Sequence, residues 1–121
     1  MVELLQRTTK GLVIRTRIAS ADLHVPCLLD VEVVHVLRKH VRMQIMDAYR
    51  ATAALDVYRD LQLTRYPHER FVRRMWALRN NLSAYDAAYV SLAESLSVPL
   101  LTCDLRLGSA PGHSAQIELI Q

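Results

Sequence analysis

Apolar positions recur at helical and strand-like spacings along nearly the whole chain, and short turn signals separate them. Residues 2–6 read as the remnant of a helix. Residues 9–21 read as a second, with Leu12, Val13, Ile14 and Ile18 among basic neighbours. Leu23, His24 and Val25 form a short extended segment that Pro26 ends, because proline restricts the residue before it. Helices are predicted over about 28–44 and 46–60, then a short strand over 61–65 ahead of Tyr66-Pro67. Phe71, Met75, Leu78 and Leu82 fall at i, i+4, i+7 and i+11, on one face of a helix that Asn80-Asn81 closes. Ser83 is placed to cap the next helix, with Asp86 three residues on. Tyr85, Ala88, Tyr89, Leu92 and Leu96 are its predicted buried stripe. Residues 98–102 read as a compact strand, 104–108 as a turn of helix and 116–120 as a last strand.

Short strands alternating with helices predict an α/β fold with a short parallel sheet flanked by helices. An all-α bundle is the alternative, since no predicted strand exceeds a few residues. The helix–strand pair near the C-terminus favours α/β. The chain has 121 residues, enough for a single domain spanning 1–121. With 51% hydrophobic and 22% charged residues it supports a packed core rather than disorder. No uninterrupted apolar run exceeds four residues, so no membrane span is expected. The arginine-rich opening is read as folded helix rather than a transit peptide, because it carries ordered apolar positions.

Two cysteines, Cys27 and Cys103, make no disulfide framework and no zinc spacing. Both are read as buried, reduced thiols, which places the chain in the cytoplasm. The five histidines show no metal spacing, and there is no P-loop or GxGxxG. The net charge of +3 permits nucleic-acid contact without demonstrating it.

Three acids stand at comparable places. Glu32 lies early in the helix after the first strand, Asp86 in the first turn of the helix after Ser83, and Asp104 just past the strand 98–102. A helix over 84–96 descends roughly 20 Å, and the strand that follows rises roughly 16 Å. Asp86 and Asp104 are therefore expected at one edge, beyond the carboxyl ends of the strands, where open α/β sheets bind ligands. Glu32 reaches the same edge by its place after a strand. Two carboxylates 4 Å apart repel by about 4 kcal/mol at an effective dielectric near 20. Such a group is expected to hold a cation or share a proton, and its hard oxygens suit Mg²⁺ or Mn²⁺. Taken singly, each acid is also explained by the helix macrodipole. Asp30 competes with Glu32: two residues apart on a helix is about 200°, and spacing does not choose between them. Asp22, Asp47, Asp56 and Asp60 read as solvated acids.

The stretch Pro26-Cys27-Leu28-Leu29-Asp30-Val31-Glu32-Val33 resembles the glutamate-bearing helix of PIN-domain ribonucleases. The stretch from Ser83 through Glu94 resembles their second acidic motif, and Val98 through Leu107 their third. The order, the spacing and the trailing Gly112-His113 are similar to VapC toxins of toxin–antitoxin pairs, over essentially the whole chain. The resemblance implies a PIN-like domain acting as a Mg²⁺-dependent endoribonuclease toxin of a type II pair, with Mn²⁺ as the other candidate metal. Glu32, Asp86 and Asp104 would be the catalytic metal ligands, Thr102 would support the metal site through its hydroxyl, and Asp30 would be a bystander. RNA is the implied substrate, a VapB-like antitoxin the implied partner and a homodimer the implied assembly.

One departure stands out. The family pattern begins with a central apolar strand ending in Asp, and this chain begins inside the helix that follows it, at Met1-Val2-Glu3-Leu4-Leu5. The expectation is an N-terminally incomplete PIN-like domain lacking that strand and its Asp, and Glu3 does not replace it. The alternative function is accordingly a catalytically inactive module that keeps antitoxin binding or self-association.

Among the basic residues, Arg106 follows Asp104 closely enough to reach a scissile phosphate. Arg38, Lys39 and Arg42 share the helix of Glu32 and read as a solvated face, as do Arg73, Arg74 and Arg79. Trp76 and Phe71 read as core or interface. An all-α DNA-binding protein is a third reading, but no helix-turn-helix with a basic recognition helix is evident. Asp104→Asn is expected to weaken Mg²⁺ binding and to leave the fold intact or slightly more stable.

Overall fold

The computed structural model describes residues 22–102 and 104–119. The predicted helices over 2–6 and 9–21, and Cys103, lie outside the described residues. The described elements alternate as expected: β1 (Leu23–Pro26), α1 (Leu28–Arg42), α2 (Ala48–Asp60), β2 (Leu63–Tyr66), a 3-10 turn (Glu69–Phe71), α3 (Val72–Ala77), α4 (Ala84–Leu96), β3 (Leu100–Thr102), α5 (Leu105–Ser109) and β4 (Ile117–Leu119). Helices and short strands, one strand pair of them parallel, make a mixed α/β chain. None of the described helices is long and apolar enough to cross a membrane.

The chain divides into two compact units, one holding Leu29–Thr64 and the other His24–Leu28 with the residues from Arg65 onward. In the first unit, α1 buries Leu29, Val33 and Leu37, spaced four apart on one face, and α2 buries Ala51, Ala54 and Tyr58. The Tyr58 hydroxyl donates to Asp30 Oδ1 at 2.6 Å, fastening one helix to the other. Gln44 stops α1 by adopting a left-handed φ of 60°. There the Ile45 N–H donates to His40 O and the Gln44 N–H to Val41 O, the double bond of a Schellman end. Asp47 begins α2 as its N-cap, accepting the Arg50 N–H at 2.7 Å. The helix therefore starts two residues later than its apolar pattern suggests, and Asp47 has a structural task beyond solvation.

In the second unit, the core is Leu78, Leu82, Ala87, Val90 and Leu107, with Met75, Leu100, Ala110, Ala115 and Ile117 packed against it. β3 and β4 pair in parallel with Leu100 opposite Ile117 and Thr102 opposite Leu119. β1 pairs with β2 as a second two-stranded sheet, and the Cys27 N–H donates to Tyr66 O at 2.9 Å.

Four local expectations are corrected. The helix predicted through Asn80 ends at Ala77, and tight turns carry Leu78 and Leu82 into the core instead. Tyr85 is 63% exposed; α4 turns Ala87, Ala88, Val90, Ser91, Leu92 and Ala93 inward, so small residues rather than the large one carry the burial. Of the two readings of Trp76, core or interface, the core one fails: the residue is 67% exposed and lies under the Arg79 guanidinium at 4.4 Å, a cation–π contact. Cys27 is an exposed free thiol, because it sits in the turn where β1 hands over to α1.

Candidate active site

Each of the two C-terminal acids is held by its own local device. Ser83 caps α4: its extended backbone lets the hydroxyl accept the Asp86 N–H at 3.1 Å, which fixes Asp86 in the first helical turn. Thr102, the last residue of β3, accepts the Asp104 N–H on Oγ1 at 3.0 Å. Asp104 in turn caps α5, its Oδ1 accepting the Arg106 N–H at 2.9 Å. The end of the strand, the turn and the short helix are thereby linked through two side-chain oxygens.

These devices bring Asp86 and Asp104 to one cleft of about 370 Å³. Asn81, Ser83 and Arg106 complete its polar wall, and Leu82, Leu107 and Ala110 its apolar side. Two of the lining residues, Leu82 and Leu107, also belong to the core and so tie the cleft to it. The Arg106 guanidinium makes a two-pronged contact with Asp104, Nε to Oδ1 at 3.2 Å and Nη2 to Oδ2 at 3.1 Å. That contact holds the Asp104 carboxyl below the usual carboxylate range. It raises the Arg106 pKa, with a further contribution from the charge on Asp86.

Behind the cleft, Arg74 donates to both oxygens of Glu94 at 2.8 Å. Glu94 also accepts the Ser114 N–H at 2.7 Å, and Arg74 reaches Gly112 O at 3.2 Å. The Arg74 guanidinium, with Ser114 assisting, brings the Glu94 carboxyl down to about 2. This clamp pins the loop between α5 and β4 against α4. Gly112 adopts a left-handed φ of +95° there, and a Cβ at that position would stand 2.8 Å from Asn81 Nδ2 on the cleft wall. Sequence reading passed over Asn81, Glu94 and the Arg74 partner. The signal available was the glycine beside His113, which marks a sharp turn but not what the turn packs against.

Glu32 lies on α1 in the first unit and is half-buried, and Asp30 on the same helix accepts from Tyr58. Within either unit, no group of three His, Cys, Asp or Glu side chains among the described residues is placed to hold a metal. The second unit offers a carboxylate pair. Its donors are hard oxygens, with no thiol or imidazole among the described residues of the cleft wall. That set fits Mg²⁺, which is held by one or two carboxylates and completes its shell with water and substrate phosphate.

Residues 1–112 match the family model described as PIN domain. The chain is 37% identical to Ribonuclease VapC12 of Mycobacterium tuberculosis over 119 residues, 98% of this chain and 92% of that protein. It is 43% identical to Ribonuclease VapC1 of the same organism, covering 92% of this chain and 84% of that one. It is 46% identical to Ribonuclease VapC9, over 88% and 84% respectively. The chain thus belongs to the PIN-domain family, as a member of the VapC type.

Proposed function

We propose that this protein is a divalent-metal-dependent endoribonuclease, the toxin of a type II toxin–antitoxin pair restrained by a VapB-type antitoxin. The observation that carries the reading is the meeting of Asp86, Asp104 and Arg106 in one cleft, in a chain so similar to named VapC ribonucleases. Asp86 and Asp104 are the proposed ligands for Mg²⁺ or Mn²⁺. Glu32 joins them on the strength of its motif alone. A bound divalent ion supplies polarisation of the phosphoryl oxygen and a more acidic water.

The chain's own residues supply the rest. Ser83 and Thr102 fix the backbone at Asp86 and Asp104, so the main chain that carries each carboxylate is in place before substrate arrives. Arg106 offers a planar donor fork matched to a phosphate. Aromatic residues are 6% of the chain, too few for a base-stacking platform, so the backbone rather than the bases is the expected handle on RNA. Action on RNA in the cytoplasm and assembly as a homodimer complete the proposal.

The test is cleavage of a defined RNA by the purified protein with Mg²⁺ or Mn²⁺, against the same reaction in a chelator. Cleavage that the chelator abolishes supports the reading. Absence of cleavage with either ion, while a cognate antitoxin still binds, favours the inactive module instead.

A further inference from the structure

The cleft that is expected to take a cation already holds one. The Arg106 guanidinium engages both oxygens of Asp104, at 3.2 and 3.1 Å, and the Arg106 backbone N–H takes Oδ1 as well. Nothing buries this contact: the Arg106 side chain is 90% exposed and that of Asp104 35%. Asp86 lines the same cleft and adds its negative field at the guanidinium. An exposed ion pair of this kind is weak, because water and salt compete for both partners. A divalent ion carries twice the charge and seeks the same hard oxygens. The three contacts occupy both acceptor sites of Oδ1 and one of Oδ2, so an incoming ion meets a mostly occupied carboxylate beside a positive guanidinium, and two cations on one carboxylate repel each other.

We infer that Arg106 is a displaceable internal counter-ion, which closes Asp104 in the metal-free protein and gives up the carboxylate to an incoming divalent cation, so that its guanidinium is released to meet a substrate phosphate. The inference rests on the reading of this cleft as a divalent-metal site. It makes metal entry and presentation of the phosphate-binding fork one exchange rather than two independent events. Arg106 then acts as a positioning residue before substrate binds and as a phosphate ligand afterwards. The metal-free protein, with its fork occupied, holds RNA less well at this cleft than the loaded one.

The experiment is a Mg²⁺ titration of the full chain, read by calorimetry and, in parallel, by the ¹⁵N-resolved Nε–H signal of Arg106, assigned by its loss in Arg106→Lys. Arg106→Gln is expected to tighten Mg²⁺ binding by about two- to fivefold. Arg106→Lys keeps the charge but loses the fork, and is expected to tighten it by a smaller, measurable factor. The Nε–H signal should move with the same midpoint as the heat. Mg²⁺ binding with a stationary Nε–H signal, or an Arg106→Lys affinity equal to that of the unaltered chain, overturns the exchange and leaves the metal site standing. Failure of the unaltered chain and both variants to bind Mg²⁺ overturns the exchange and the metal site together.

Discussion

The Thr102 hydroxyl accepts the backbone N–H of Asp104 at 3.0 Å, so the last residue of a strand fixes the N-cap of the helix that follows. A threonine suits both tasks, since its branched side chain favours the strand and its oxygen caps the turn. Thr102→Val keeps the shape and removes the acceptor. It is expected to lower kcat/KM for RNA by about three- to tenfold, the worth of one hydrogen bond, while Thr102→Ser retains most of the rate. Steady-state cleavage of one RNA by the three proteins checks this.

Asp104→Asn is expected to weaken Mg²⁺ binding at least about tenfold, because it removes one of two carboxylate donors. Its thermal midpoint should not change. Relief of repulsion between neighbouring acids, the sequence-based reason to expect a gain, does not apply here, since Arg106 already compensates the charge on Asp104. Asparagine can still cap α5. Calorimetric titration and a thermal melt of the same sample test both halves.

The Arg74–Glu94 clamp makes stability depend on acid. The folded-state pKa of Glu94 is depressed, from 4.5 to about 2, so its contribution is fully present above the higher value and is lost as pH falls toward the lower one. Glu94→Gln should flatten the stability profile across that window. Glu94→Ala, which also strips the acceptor from Ser114, should cost about 1–2 kcal/mol at neutral pH. Urea denaturation across a pH series measures both.

Gly112→Ala should cost about 1–2 kcal/mol, since alanine resists the left-handed backbone. It should also disturb the cleft, because the new methyl would stand 2.8 Å from Asn81 Nδ2. A drop in RNA cleavage beyond the loss of folded protein, measured at a temperature where the variant remains folded, is the expected signature.

The shared cleft of Asp86 and Asp104 is legible in the sequence because local chemistry places both residues. A serine three residues ahead of Asp86 and a strand ending just ahead of Asp104 are signals carried within a few positions. Alternating helices and strands imply a short parallel sheet, and β3 and β4 do pair in parallel, though which strands are neighbours is not legible from the alternation. What stayed hidden depends on residues far apart in the chain. Glu94 meets Ser114 across 20 positions, and Gly112 meets Asn81 with no shared motif. On α4 the predicted stripe of Tyr85, Ala88, Tyr89, Leu92 and Leu96 follows helical spacing, but the buried face is broader and lies further along the helix, over Ala87, Ala88 and Val90 to Ala93, and leaves Tyr85 outside. Cys27 was misread because apolar neighbours say little about a residue in a turn. The Asp104–Arg106 contact is only two residues long, yet spacing alone says nothing of the side-chain direction that forms it.

The most direct measurement of the central claim, that the Asp86–Asp104 cleft cleaves RNA with a divalent ion, is the Mg²⁺-dependent rate of Asp86→Asn beside that of the unaltered chain. Asparagine preserves the Ser83 cap, which uses only the backbone N–H of residue 86, so the fold is retained. The account predicts a loss on the order of a hundredfold or more, with a thermal midpoint unchanged. Cleavage by Asp86→Asn at the rate of the unaltered chain would contradict it.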